Sequence, residues 1–182
     1  MIGLLRRQRI QDLKTARLRL VGITPAMLKA DEAADGSLAD ILSAEVTAEW
    51  PPEHWEPHVY HFIQKQYEDD PKTRGWHRYV LLPNARGAAR RHTLIGAVGA
   101  FPKLEGDAEI GYSTLPSFQR KGYGTEAACA LVEYLLRQKE VRSVSAQTYP
   151  RLPESIKVME RCGMQHVGVG DEPDTVRYQR MR

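Results

Sequence analysis

The chain has no run of about 18 consecutive apolar residues, which excludes an ordinary membrane-spanning helix. Its opening, Met1-Ile2-Gly3-Leu4-Leu5-Arg6-Arg7, carries too short an apolar run for a signal peptide, and the basic residues follow that run instead of preceding it. Cytosol is the expected compartment. Cysteine is scarce, with only Cys129 and Cys162, both in segments that read as helices among apolar neighbours. They are expected to be small buried thiols in a reducing compartment. No paired Cys/His spacing exists, so no metal site is expected. Charge imbalance is small, a net +3 with a pI of 8.9. The basic clusters Arg6-Arg7-Gln8-Arg9, Arg90-Arg91-His92 and Arg120-Lys121 read as solvated surface, and no nucleic-acid motif accompanies the first two. Internal repeats and low-complexity segments are also missing.

What is present suits one domain: 182 residues, 42% of them apolar and 27% charged. Residues 1–14 are expected to be a basic arm and residues 15–182 the domain. Alternation over Leu18, Leu20 and Val21 against Arg17 and Arg19 predicts a first strand. Thr24-Pro25 fits an N-cap followed by Pro at the first helical position, so helices are expected over 25–34 and 37–43. Trp50-Pro51-Pro52 breaks the pattern, and a helical rhythm resumes over 55–67. Strand-like runs follow at 77–82, 93–101 and 109–115, with Glu105-Gly106-Asp107 as a hairpin turn. A strong helix is expected from Gly122 to Lys139, then a strand at 143–149, a helix at 153–162 ended by Gly163, and two short closing strands. This order predicts an α+β fold with a mixed sheet.

Gln119-Arg120-Lys121-Gly122-Tyr123-Gly124-Thr125, directly before the strongest helix, is the most informative segment. Glycines let the backbone turn so that several N–H groups face one point, and the helix adds its positive end. That combination suits a diphosphate, with Arg120 and Lys121 at its rim. A Walker loop is excluded because the lysine precedes the glycines. Gly122-Tyr123-Gly124-Thr125-Glu126-Ala127 matches the dinucleotide pattern G-x-G-x-x-A, but Pro116 to Lys121 separate it from its strand. An acidic residue about 20 residues on, at the end of the next strand, is missing too.

A strand, a Pro-containing loop, Gln-x-x-Gly-x-Gly and a long helix in series resemble the GNAT superfamily of N-acetyltransferases. More narrowly, Thr15-Ala16-Arg17-Leu18-Arg19-Leu20, Glu109-Ile110-Gly111-Tyr112 and the segment Ser155 to Met164 resemble the branch of ribosomal-protein N-terminal acetyltransferases. The resemblance covers nearly the whole chain from Thr15. One departure is Leu152, where that branch often has an Asn.

The resemblance implies a three-layer, mostly antiparallel mixed sheet of about seven strands flanked by helices, with strands 109–115 and 143–149 splayed apart. It implies acetyl-CoA as cofactor, with CoA as product. The pantetheine arm would pair with backbone at Tyr112, Ser113, Thr114 and Leu115, and the diphosphate would sit on Gln119, Arg120, Lys121, Gly122, Tyr123, Gly124 and Thr125. An amide in Ser113 to Leu115 would polarise the thioester carbonyl. Glu109 matches the position of a general base in some members; a hairpin-proximal salt bridge explains the same residue equally well. Ser155 matches the residue that faces the CoA sulfur and protonates it, with Tyr149 as an alternative acid. Trp50, His54 and Trp55, beside Glu45, Glu49 and Glu53, form a group suited to a cationic amine, although packing of the loop onto the core is the commoner role for such tryptophans.

The expected activity is transfer of an acetyl group to a primary amine, either a protein N-terminus or a small molecule, by direct attack in a ternary complex. A non-catalytic acyl-CoA sensor and a nucleotide-binding oxidoreductase are the competing readings. Homodimerisation is left open, and no membrane or specific nucleic-acid partner is indicated.

Overall fold

The apolar stripe that begins at Tyr123 folds as a 14-residue helix with Ala127, Leu131 and Leu135 buried along one side. The computed structural model, which describes residues 10–53 and 55–182, sets this helix against a nine-stranded sheet. In chain order the elements are β1 (Leu13–Lys14), β2 (Arg19–Gly22), α1 (Pro25–Ala33), α2 (Ser37–Leu42), β3 (Ala44–Glu45), α3 (Pro57–Asp69) and β4 (Arg78–Pro83). There follow β5 (His92–Pro102), β6 (Asp107–Thr114), α4 (Tyr123–Leu136), β7 (Ser143–Thr148), α5 (Pro153–Arg161), β8 (Gln165–Val169) and β9 (Val176–Met181). Thr24 caps α1 through its side chain, with Pro25 next, as its sequence predicts. The α+β class and the mixed, mostly antiparallel sheet are as expected. The two strands beyond the expected number, β1 and β3, have two residues each, too few to leave a periodic signal. Strand β1 lies in the segment expected as an arm; residues 1–9 of that arm fall outside the described residues.

The sheet runs β1-β2-β4-β5-β6-β7-β9-β8, with β3 beside β5. Strands β6 and β7 are parallel and share only three residue pairs, Asp107 with Ser143, Ala108 with Val144 and Glu109 with Ser145. Beyond them the strands part. Strand β6 goes on pairing with β5 to Thr114, and β7 with β9 to Thr148. The splayed pair expected of residues 109–115 and 143–149 is therefore present.

One face of the sheet packs Ile95, Val98, Ile110, Val144 and Ala146 against α4 and α5. The other packs Val21, Ile23, Tyr79, Leu81 and Leu94 against α1, α2 and α3. That second helical layer is built on β2, β4 and β5. On the same side β6, β7 and β9 present Asp107, Glu109, Ser143, Gln147, Arg177 and Gln179, which bond to one another. Strand alternation accounts for both faces: in β6, Ala108 and Ile110 turn to the helices while Asp107 and Glu109 turn away.

Two buried groups fix β4. His77 is buried, and burial pushes its imidazole down to about 3. Gln66 of α3 donates its amide N–H to the Ala100 carbonyl, so its Oε1 faces His77 Nε2 at 3.1 Å and makes that nitrogen the donor. The ring lies over Gly99, where a Cβ would fall 2.2 Å from His77 Nδ1. Arg78, fully buried, donates to the carbonyls of Gln11 and Leu20 and stacks on Tyr134 at 4.5 Å.

Cys129 of α4 and Cys162, which caps α5, form a disulfide, with Cα atoms 4.8 Å apart. This corrects the expectation of two separate buried thiols. Packing of α5 on α4 brings together cysteines 33 positions apart, a proximity that spacing alone does not reveal. No helix among the described residues is long and apolar enough to cross a membrane.

Candidate active site

The gap between β6 and β7 is lined on one side by backbone. In an antiparallel ladder, successive residues point their N–H and C=O groups alternately toward the partner strand and away from it. The Leu115 amide donates to Ile95 at 2.8 Å, so the alternation directs Leu115 and Ser113 to β5 and leaves Tyr112 and Thr114 facing the gap. The side-chain amide of Gln119 donates to the Thr114 carbonyl at 2.9 Å, which ties the following turn to the strand end. Of the stretch Ser113 to Leu115, Thr114 thus carries the amide that opens on the gap.

The turn itself is shaped by two left-handed residues, Arg120 (φ 58°) and Gly122 (φ 80°). Backbone of this kind turns successive N–H groups into an anion-binding concavity. Gly122 is the N-cap of α4 and supplies no side-chain cap, so none of the first-turn amides is taken by a capping side chain. Gly124 stands in that first turn, where a Cβ would meet Thr114 Oγ1 at 3.0 Å. Only hydrogen fits between helix and strand there without displacing Thr114. Lys121 bonds the Ser117 carbonyl at 2.9 Å and lies over Phe118. Glycine at 122 and 124, a bare helix N-terminus and flanking cations fit a diphosphate.

The residues that brace this turn come from the far end of the chain. Glu126 accepts from the Thr15 hydroxyl (2.5 Å), the Arg17 amide (2.8 Å) and Arg17 Nε (2.6 Å). Arg17 Nη1 also donates to the Lys121 carbonyl at 2.9 Å, and its guanidinium covers the Tyr123 ring at 4.6 Å. Desolvation raises the Glu126 carboxyl, and the bonds from Thr15 and Arg17 outweigh it, leaving it below its ordinary value. In sequence, Thr15 to Leu20 reads as a first strand and as part of the family resemblance, not as a brace for this turn. The missed signal was an acid in the first turn of a helix that follows an arginine-bearing first strand.

Ser155 occupies the first turn of α5, across the gap from β6. The Tyr112 hydroxyl lies 2.9 Å from Ser155 Oγ and 3.1 Å from its carbonyl oxygen. Burial pushes the Tyr112 phenol up, and its bond to Ser155 pulls partly the other way. Leu152, at the departed Asn position, is the N-cap of α5 and makes no capping bond. Glu109 sits at the last paired residue before the strands diverge and is 4% exposed. Gln147 donates to its Oε1 at 3.0 Å and Arg177 to its Oε2 at 2.5 Å, with Lys103 Nζ 3.8 Å away. Asp171 joins Lys103 and Arg177 above it. Arg177 was not singled out from sequence, although alternation in β9 places it on the Glu109 face.

Trp50 and Trp55 are brought together, with ring centroids 5.8 Å apart, against Tyr79. Both indoles donate into the buried Asp31 carboxylate (2.7 and 3.3 Å), as does the Tyr79 hydroxyl (2.5 Å). Burial pushes the Asp31 carboxyl up, and these three donors pull it back. Each would cost about 1–3 kcal/mol if left unpaired, so Asp31 fastens this loop to the sheet. His54 lies outside the described residues. The loop reaches the gap side through Glu49, which accepts from both the amide (3.1 Å) and the hydroxyl of Ser117. Those bonds hold the Glu49 carboxyl below its ordinary range.

Similarity to known proteins agrees with this geometry. A family model described as an acetyltransferase (GNAT) domain matches residues 18–165. The uncharacterized N-acetyltransferase YjdG of Bacillus subtilis (strain 168) is 28% identical over 153 residues, covering 83% of this chain and 88% of that protein. Among solved structures, a GNAT-family acetyltransferase from Bacillus anthracis is similar with a TM-score of 0.61 at 20% identity, covering 94% of this chain and 98% of that one. RimL, a ribosomal L7/L12 alpha-N-protein acetyltransferase in complex with coenzyme A, is similar with a TM-score of 0.62 at 16% identity, covering 94% and 98%.

Proposed function

The chain belongs to the GNAT acetyltransferase family, and we propose that it is an acetyl-CoA-dependent enzyme acetylating a primary amine, similar in its motifs to the branch that modifies protein N-termini. The observation that carries the cofactor is the turn from Gln119 to Thr125, with an uncapped helix start and a glycine at 124 that a side chain would crowd. The branch rests on Thr15-Ala16-Arg17-Leu18-Arg19-Leu20 and the segment around Ser155, together with the likeness to RimL.

Bound acetyl-CoA supplies an acetyl thioester. The chain's own groups do the rest. First-turn amides of α4 and the cations Arg120 and Lys121 hold the diphosphate. Backbone of Tyr112 and Thr114 lies along the gap, and the Thr114 amide offers a hydrogen bond to the thioester carbonyl as negative charge grows there. Glu109, oriented by Arg177 and Gln147, accepts the proton that the amine gives up, through water. Ser155 holds the proton destined for sulfur. The acceptor is a neutral amine attacking in a ternary complex, either an α-amino group or a small-molecule amine.

Titration of the purified protein with acetyl-CoA and, separately, NADH tests the cofactor. Heat released by acetyl-CoA alone is expected. A well-folded protein that ignores acetyl-CoA overturns the reading. Binding without transfer to peptides or polyamines would favour the sensor alternative instead.

Arg17 carries a prediction of its own. Removing it in Arg17→Ala releases Glu126 and the Lys121 carbonyl and loosens the turn. KM for acetyl-CoA is expected to rise about tenfold, equivalent to about 1.4 kcal/mol, with kcat within a factor of about two. Steady-state kinetics at saturating acceptor measure this, and an unchanged KM would remove Arg17 from the cofactor site.

A further inference from the structure

Tyr112 reaches from β6 across to the first turn of α5 and meets Ser155 twice, at Oγ and at the carbonyl oxygen. Its ring packs against the core cluster beneath α4 and α5, and the Ser155 amide is fixed on the Leu152 carbonyl at 3.1 Å. Both partners are therefore held from behind. Each hydroxyl has one proton, which allows two arrangements. Tyr112 can donate to the Ser155 carbonyl while Ser155 donates to Tyr112, which uses up the serine proton. Alternatively Tyr112 donates to Ser155 Oγ, and the serine proton is free to point elsewhere.

We propose that Tyr112 is a positioning residue for the proton on Ser155, its phenol donating to Ser155 Oγ so that the serine proton is turned toward the departing sulfur. This rests on the reading that Ser155 supplies that proton. As the acceptor nitrogen bonds to the acetyl carbon, the carbon–sulfur bond breaks and its electron pair stays on sulfur. Ser155 Oγ gives its proton to that sulfur. The phenol hydrogen bond steadies the oxygen until it regains a proton from water. The proton lost by the nitrogen leaves through Glu109, so one proton is released and one is returned to Ser155. A depolarised or absent phenol would leave Ser155 free to turn its proton away.

Single-turnover rates of acetyl transfer test this in a double-mutant cycle. Tyr112→Phe is expected to lower the rate about tenfold, to keep acetyl-CoA affinity within a factor of about two, and to have no further effect on a Ser155→Ala background. Equal losses from Tyr112→Phe in both backgrounds would mean that the hydroxyl acts independently of Ser155 Oγ, and would overturn the proposal while leaving Ser155 in its role. A full rate in Ser155→Ala would instead remove the reading beneath it, and the proposal with it. Should Tyr112→Phe fold poorly, replacement of Tyr112 by 3-fluorotyrosine keeps the shape and makes the phenol more acidic. The alkaline limb of the rate profile should then move to lower pH, and an unmoved limb overturns the proposal.

Discussion

Gly124→Val should abolish measurable acetyl-CoA binding in a protein that still folds. Valine is a better helix residue than glycine, so the substitution does not threaten α4 through propensity. Its Cβ would fall 3.0 Å from Thr114 Oγ1, so the added side chain crowds the contact between the start of α4 and the end of β6. A branched side chain in the first turn is expected to screen the amides at the start of α4 from an anion. We expect at least about 100-fold weaker binding, about 2.7 kcal/mol, with Gly124→Ala intermediate. Calorimetric titration beside a thermal melt separates binding from folding. Near-normal affinity in folded Gly124→Val would show that the diphosphate is held elsewhere.

Acid should unfold this protein earlier than its carboxylates alone would dictate. His77 has an ordinary value of 6.5 and is pushed down to about 3 by burial. A depressed folded value means that the unfolded chain binds the proton more readily. The stability associated with neutral His77 is complete above pH 6.5. It is lost as pH falls from there toward 3, at about 1.4 kcal/mol per unit. By pH 4.5 the loss should be on the order of 2–3 kcal/mol. Carboxyls held low by hydrogen bonds, such as Glu126 and Asp171, add their losses mainly below that range. Urea denaturation at pH 7, 5.5 and 4.5 measures the slope. His77→Asn should flatten it above pH 4.5, and an equally steep slope in that variant would assign the effect to other groups.

Much of this architecture was readable in advance because it is carried by local pattern. The 3.6-residue stripe of Ala127, Leu131 and Leu135 identifies α4, and alternation identifies β6 and its two faces. The shape of the turn into α4 was also legible, since glycine at 122 and 124 is a backbone requirement written into one short segment. What escaped depends on distance along the chain. Nothing near Arg177 says that β9 will lie across β7 from Glu109, and nothing near Cys129 says that α5 will bring Cys162 to it. The tryptophans had two readings in sequence, a cation site and packing of their loop onto the core. Their indole N–H groups donate to Asp31, which ties the loop to the sheet, and composition cannot reveal that partner.

The bond between Arg17 and Glu126 has a consequence for how the protein is made. The two residues are 109 positions apart, and on the ribosome the first waits for the second. At about 5–20 residues per second that interval is roughly 5–20 s, during which a growing chain has Arg17 but not the carboxylate that holds it. The brace on the turn before α4 is therefore assembled late, by the meeting of an early and a late segment. A nascent chain that stalls before α4 emerges has an early segment without its brace, and the turn before α4 takes its final shape only once about three-quarters of the chain has been made.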